Sequence, residues 1–127
     1  MIYTNCIKKA KKSEYDEIWA IVRSMKTSNA NIKQVQILSP SYNLFKTYLD
    51  LKNAGNWNQE TFNNIYKPQF LKEMQNLQAQ QMLDELCRLD KLDKKICLVC
   101  FCDDYLLCHR SLVAELLIAK GCNVRIN

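Results

Sequence analysis

The stretch from residue 96 to residue 121 constrains the fold of this chain more than any other. The apolar run 96–101 has the length and composition of a buried strand. A polar loop follows it, and an apolar-periodic segment with helical spacing then extends over 111–120 and is closed by Gly121. A strand that leads through a loop into a helix is a building unit of parallel sheets, so we expect an α/β architecture.

Further segments extend this alternation of strands and helices. The predicted strands are 2–7, 18–22, a weaker one at 34–38, and 122–126, and the predicted helices are 42–51, 59–66 and a long one from Pro68 to Leu89. Ser39 or Ser41 is expected to cap the helix at 42–51. The continuous apolar run 18–22 indicates a strand buried on both faces. We therefore predict a single compact three-layer domain over 1–127, with a mostly parallel sheet of four to five strands flanked by helices.

The overall composition is that of one folded domain. The chain has 127 residues, of which 48% are hydrophobic and 24% are charged. No apolar run approaches the roughly 18 residues that a membrane-spanning helix needs, which argues against a membrane partner. The segment before the first lysines is too short for a signal peptide. We therefore expect an intracellular, cytoplasmic protein.

The cysteine content points to free thiols. An odd number, seven, in a chain without an export signal argues against a disulfide framework, so most cysteines are expected to be reduced. Several of them are expected to be small core residues, because free cysteine is often buried.

The chain has a net charge of +5, and its positive charges are most closely spaced near the start, at Lys8, Lys9, Lys11 and Lys12. These lysines are typical of a solvated loop, and they would equally suit a patch that attracts phosphates or an acidic protein partner. We do not expect duplex nucleic acid as a partner, since the sequence shows no basic–aromatic interleaving and no recognisable nucleic-acid module.

Chemistry-bearing residues gather where ligands bind in parallel sheets, beyond the carboxyl ends of the strands. This rule places Cys6, Arg23 and the segment 100–110 near one rim of the predicted sheet. Within that segment, Cys108-His109-Arg110 lies after a predicted strand and directly before a predicted helix. The start of a helix offers free N–H groups and a positive dipole end, which favour an anion or a thiolate.

The cysteine spacing leaves other site types open but favours none of them. Cys97 and Cys100 are three apart in a strand and should point to opposite faces, which disfavours a redox pair. Cys100 and Cys102 share a face and, with Cys108 and His109, have the residue types of a metal site, but the spacing matches no common zinc module. A Cys-x5-Arg phosphatase loop does not fit either, because Arg110 follows Cys102 after seven intervening residues. We expect no metal and no cofactor.

The run LVCFCDDYLLCHRSLVAELLIAKGCNV, residues 98–124, resembles the C-terminal signature of the family called domain of unknown function 488. Looser similarity extends to the N-terminal half, at Ile2-Tyr3-Thr4, Ile21-Val22-Arg23, Leu38-Ser39-Pro40-Ser41 and Tyr66. The resemblance implies a compact α/β fold and a shared pocket formed by Arg23, Cys100, Cys108, His109 and Arg110. Many members carry glutamate two residues after the strand cysteine, whereas this chain has Cys102, with Asp103 and Asp104 as possible substitutes.

Three functions follow as hypotheses from these residues. In the first, a pocket recognises an anionic, nucleotide-like ligand: Arg110 and Arg23 hold the phosphates, and Cys100, Asp103 and Cys6 complete the binding site. In the second, the protein is a thiol enzyme with Cys108 or Cys102 as nucleophile and His109 as base. In the third, the pocket is vestigial and the lysine-rich segment 8–12 docks an acidic partner.

Overall fold

A computed structural model of the chain describes residues 1–25 and 31–126 and contains a five-stranded sheet in which all strand pairs are parallel. The strands are β1 (Ile2–Cys6), β2 (Glu17–Ala20), β3 (Ile32–Gln34), β4 (Ile96–Cys100) and β5 (Val124–Ile126). Their order across the sheet is β3-β2-β4-β1-β5, so β4 lies between β1 and β2. The predicted α/β fold with a parallel sheet is confirmed.

The helices are α1 (Tyr42–Asn53), α2 (Gln59–Thr61), a π-helical turn (Phe62–Tyr66), α3 (Lys67–Glu73), α4 (Leu77–Lys91) and α5 (His109–Ala119). Of the two serines proposed as cap, Ser41 caps α1, because its side chain accepts a hydrogen bond from the Leu44 N–H. Gly121 follows α5 with a φ of 90°, the left-handed conformation that glycine adopts at a helix end.

Several predicted elements differ from the structure, and three of the differences have a clear position in the chain. The long helix predicted from Pro68 to Leu89 is divided between α3 and α4, because the Asn76 side chain accepts from the Gln78 N–H and starts a new helix. The third strand is displaced to β3, and residues 36–38 form a 3₁₀ turn instead. Helix α5 begins at His109, two residues before the predicted start, so the histidine and Arg110 belong to its first turn.

The sheet is buried on both faces. On one face, strand residues such as Leu98 pack against helical residues such as Phe70, Leu83 and Leu117. On the other face, strand residues such as Val99 belong to a smaller cluster with Tyr15 and other residues of the segment after β1 packed against it. Burial on both sides explains why the central strands are continuous apolar runs rather than alternating ones.

All seven cysteines lie among the described residues. Cys87 on α4 and Cys122 before β5 form a disulfide, which the sequence did not predict. Cys6, Cys97, Cys100, Cys102 and Cys108 are free thiols.

Within residues 1–25 and 31–126, no helix combines the length and the apolar character that crossing a membrane requires.

Candidate functional site

A cleft of about 850 Å³ opens at the carboxyl ends of β2 and β4. Its lining residues are Val22, Arg23, Ser24, Pro40, Tyr42, Phe45, Tyr48, Leu49, Lys52, Trp57, Tyr66, Cys100, Phe101, Cys102, Asp103, Asp104, Leu107 and His109. The volume falls in the range of sites that hold small molecules and cofactors. The position agrees with the rule that ligands bind beyond the carboxyl ends of parallel strands.

One side of the cleft is aromatic, and we call Phe45, Tyr48, Trp57 and Tyr66 the aromatic wall. Trp57 is its centre, with ring centroids 4.7 Å from Tyr48 and 5.4 Å from Tyr66, both in edge-to-face geometry. Phe45 and Tyr48 are three residues apart on α1 and therefore share one helix face. The wall presents large π surfaces to whatever occupies the cleft.

Two cations accompany these rings. The Arg23 guanidinium lies 5.9 Å from the ring centroid of Tyr42 and donates one hydrogen bond from Nη1 to the Pro40 carbonyl, at 3.3 Å. The Lys52 ammonium lies 5.7 Å from the ring centroid of Tyr48. Because a guanidinium has five N–H donors and one hydrogen bond to a described residue is seen, the Arg23 side chain can donate further hydrogen bonds into the cleft.

Across the cleft, three sulfurs form what we call the thiol cluster: Cys100, Cys102 and Cys108. The end of β4 supplies Cys100, the following loop supplies Cys102, and the residue preceding α5 supplies Cys108. The three Sγ atoms lie within 4.8 Å of one another, and those of Cys100 and Cys108 are 2.9 Å apart. Cys102 is half-buried and lines the cleft, whereas Cys108 is buried and does not. Such a group has the residue types and proximity to ligate one metal ion.

Arg110 lies against the thiol cluster rather than in the cleft. Its side chain is only 2% exposed, and its Nη1 donates to the Cys102 carbonyl at 3.0 Å and contacts Cys100 Sγ at 3.5 Å. The guanidinium also lies 5.6 Å from the Tyr105 ring centroid. Among the described residues, no carboxylate forms a salt bridge with Arg110, and the buried Nε atom of Arg110 has no hydrogen-bond partner.

The electrostatics concentrate negative charge at the cleft side of the thiol cluster. Hydrogen bonds from the Cys100 and Cys108 thiols, with attraction from Arg110, hold the pKa of Cys102 below its usual range. The same sulfur contacts raise the pKa of Cys108. The pKa of the half-buried sulfur is thus lowered and that of the buried sulfur raised, and the buried Arg110 guanidinium favours negative charge on the cluster.

His109 lines the cleft but is held by the backbone. Its Nε2 lies 2.6 Å from the Ile21 carbonyl oxygen, and because a carbonyl only accepts, Nε2 carries the proton. The remaining nitrogen, Nδ1, lies 3.8 Å from Cys108 Sγ. Burial lowers the pKa of His109, so the ring is neutral at neutral pH. Its free nitrogen faces a buried sulfur rather than the half-exposed Cys102.

The structure brings together only part of the residue set expected from the sequence. Arg23, Cys100, Cys102, Asp103 and His109 line the cleft. The other three residues lie behind it: Cys6 has its Sγ 3.4 Å from Asp103 Oδ1, and Cys108 and Arg110 are buried. Arg110 donates to the Cys102 carbonyl and is not among the residues that line the cleft, so direct contact of its guanidinium with a phosphate stays a prediction.

The lysine-rich segment 8–12 does not line the cleft. Lys8, Lys9, Lys11 and Lys12 are all exposed, beside a short 3₁₀ turn at Lys12–Glu14. This exposure fits a solvated loop, and docking of an acidic partner stays a prediction.

Sequence reasoning missed the aromatic wall and Lys52. The apolar positions over 42–51 were interpreted only as the pattern of a helix, yet within α1 Leu44 is buried whereas Phe45 and Leu49 are exposed towards the cleft. A usable signal was present, because apolar residues surround this helix more widely than a single core-facing stripe requires.

Comparison with known proteins gives one match. The family model described as "DUF488-N3a: Active DUF488-N3 subclade" matches residues 2–121. No curated protein and no solved structure matches the chain significantly.

Proposed function

The chain belongs to the DUF488 family, and from that premise we propose that its cleft binds an anionic, nucleotide-like ligand. The observation that carries the proposal is the combination, in one cleft, of the aromatic wall with the cations Arg23 and Lys52. Aromatic rings stack on nucleobases, and guanidinium groups bind phosphate through paired N–H donors. A ligand with a flat apolar part and a negative part matches both halves of the cleft.

The opposite side of the cleft favours a ligand that also carries hydrogen-bond donors. Asp103 and Asp104 are exposed and line the cleft beside the thiol cluster. Carboxylates accept hydrogen bonds from hydroxyl or amino groups, such as those of a ribose or a base edge. They repel an extended chain of phosphates, so we expect a monophosphate to bind better than a triphosphate.

Replacing Arg23 with alanine is expected to raise the Kd for a nucleoside monophosphate about 10- to 100-fold. The reason is that hydrogen bonds to a charged group contribute about 1.5–3 kcal/mol, and every 1.4 kcal/mol is tenfold in affinity. Isothermal titration calorimetry with a panel of nucleoside mono-, di- and triphosphates measures the change.

Arg125→Ala is the matched control, because it removes the same side chain from an exposed position of β5 outside the cleft. It should bind like the wild type. The unphosphorylated nucleoside should bind more weakly than its monophosphate and should not distinguish Arg23→Ala from the wild type. Failure of the wild type to bind any phosphate-bearing compound would contradict the proposal.

A second candidate function, thiol catalysis, is favoured by the position of Cys102. Its sulfur is the half-buried member of the thiol cluster, it lines the cleft, and the buried Arg110 stands behind its backbone. The matched family model is described as an active subclade, which supports turnover. In this function Cys102 is the nucleophile, rather than the buried Cys108.

If Cys102 is that nucleophile, it should be alkylated by iodoacetamide faster than the other free cysteines of the folded, metal-free protein. Peptide mass spectrometry over time gives the rate for each residue. Cys102→Ser should abolish the fast phase, whereas Cys97→Ser should keep it, because Cys97 is buried and outside the cluster. Equal slow labelling of all five free cysteines would exclude this function.

A further inference from the structure

We propose that Cys100, Cys102 and Cys108 bind a thiophilic divalent metal ion of the zinc class, with the fourth coordination position facing the cleft. The inference goes beyond the proposed function, since it requires no nucleotide. It also departs from the sequence-based expectation of no metal, which rested on the spacing of the cysteines and the lack of a second ligand cluster in the sequence.

The sulfur positions fit a tetrahedral ion after small movements. Zinc–sulfur bonds of about 2.3 Å place tetrahedral sulfurs about 3.8 Å apart. The separations in the thiol cluster, from 2.9 Å for one pair to at most 4.8 Å, bracket that value. Reaching the tetrahedral spacing therefore changes each separation by at most about 1 Å.

The fold holds the three ligands on a rigid frame. Cys100 ends a central strand, and Cys108 immediately precedes α5, which packs against that strand. The loop between them is fixed by the Asp104 side chain, which accepts from the Leu106 N–H. Metal sites built on such elements keep their geometry better than sites on free loops.

The charges of the proposed metal site also balance. Three thiolates, one divalent ion and the Arg110 guanidinium together have no net charge, which matters because buried charge is costly unless it is compensated. The guanidinium already contacts Cys100 Sγ at 3.5 Å, and its Nε has no hydrogen-bond partner among the described residues. An N–H donor beside a metal-bound thiolate is the kind of outer-shell contact that tunes such sites.

Three protein ligands leave one position for an exogenous group. Cys100 and Cys102 line the cleft and Cys108 lies behind them, so the open position is directed to the cleft. Zinc sites with three protein ligands and an open position bind water or substrate there.

The test is titration of untagged, metal-free protein with Zn²⁺ against a chromophoric chelator, under anaerobic conditions without reductant, so that the Cys87–Cys122 disulfide stays intact, and without nucleotide. One equivalent should bind, and Co²⁺ should give the intense visible absorption of a tetrahedral thiolate site. Cys102→Ser and Cys108→Ser should each weaken Zn²⁺ affinity more than 100-fold, since loss of a ligand should exceed the 10- to 100-fold effect of an outer-shell change.

Cys97→Ser and Cys6→Ser are the matched controls, because both remove a buried thiol outside the cluster, and both should bind Zn²⁺ like the wild type. In the wild type, Zn²⁺ should protect Cys102 from iodoacetamide, a readout that needs no variant to fold. The proposal is overturned if the wild type takes up no stoichiometric Zn²⁺, if Cys97→Ser loses as much affinity as Cys102→Ser, or if Zn²⁺ leaves alkylation of Cys102 unchanged. Nucleotide binding is measured separately with a chelator present, so its result does not depend on whether the thiol cluster binds a metal ion.

Discussion

Replacing Phe70 with alanine is expected to lower the free energy of unfolding by about 3–5 kcal/mol, the usual cost of removing a buried phenylalanine. Phe70 is fully buried on α3, and its ring stacks against Tyr66, with centroids 6.1 Å apart. The centroid of the His109 ring lies 5.7 Å from that of Phe70. The loss combines apolar transfer with a cavity between the helices and the cleft.

Urea unfolding followed by circular dichroism measures this loss. Phe101→Ala is the matched control, because the same side chain is removed from a position that is 52% exposed, and it should cost less than about 1 kcal/mol. Phe70→Leu keeps most of the volume and should cost less than about 1.5 kcal/mol. A Phe70→Ala loss no greater than that of Phe101→Ala would show that Phe70 does not anchor the core.

The cavity should also loosen the site. Tyr66 and His109, both in contact with Phe70, line the cleft and would lose the surface that fixes their rings. We therefore expect Phe70→Ala, under conditions where it is still folded, to bind ligand more weakly than Phe70→Leu.

Reduction of the Cys87–Cys122 disulfide is expected to lower the free energy of unfolding by about 2–4 kcal/mol. The bond closes a loop with a sequence separation of 35 and ties α4 to the segment before the edge strand β5. Without it, the unfolded chain gains conformational freedom, and the short β5 loses a covalent anchor. Unfolding in urea with and without a phosphine reductant measures the difference.

The Cys122→Ala variant controls for other effects of the reductant. It lacks the bond, so its stability should be low from the start and insensitive to reductant. The wild type should also expose more surface on unfolding when reduced, seen as a steeper dependence on urea, because a cross-linked unfolded chain is more compact. Equal stability of oxidised and reduced wild type would rule out a stabilising disulfide.

The fold followed from local pattern to a large extent. Continuous apolar runs predicted β2 and β4, and the Ser41 cap and Gly121 marked a helix start and a helix end correctly. The pattern failed between α3 and α4, where apolar periodicity continues but the Asn76 side chain interrupts the helix. A single side-chain hydrogen bond outweighed a periodicity that extended across both helices.

Only part of the candidate site could be predicted from the sequence. The rim rule placed Arg23, Cys100, Cys102, Asp103 and His109 correctly at one edge, because parallel strands align their carboxyl ends. Arg110 was expected in the cleft, because it follows a predicted strand at the start of a helix and a guanidinium binds phosphate well. Its burial depends on how α5 packs against β4, which no local pattern encodes.

By itself, the sequence determined the class of fold and the edge of the sheet where chemistry gathers, because strand and helix periodicities and loop positions are properties of neighbouring residues. Only the tertiary structure decided that Arg110 is buried against the sulfurs rather than among the residues that line the cleft, that three cysteines on separate segments converge within 4.8 Å, and that rings from α1 and from the segment around Trp57 form one wall. Those outcomes depend on distances between residues far apart along the chain, and such distances are set by packing of whole elements.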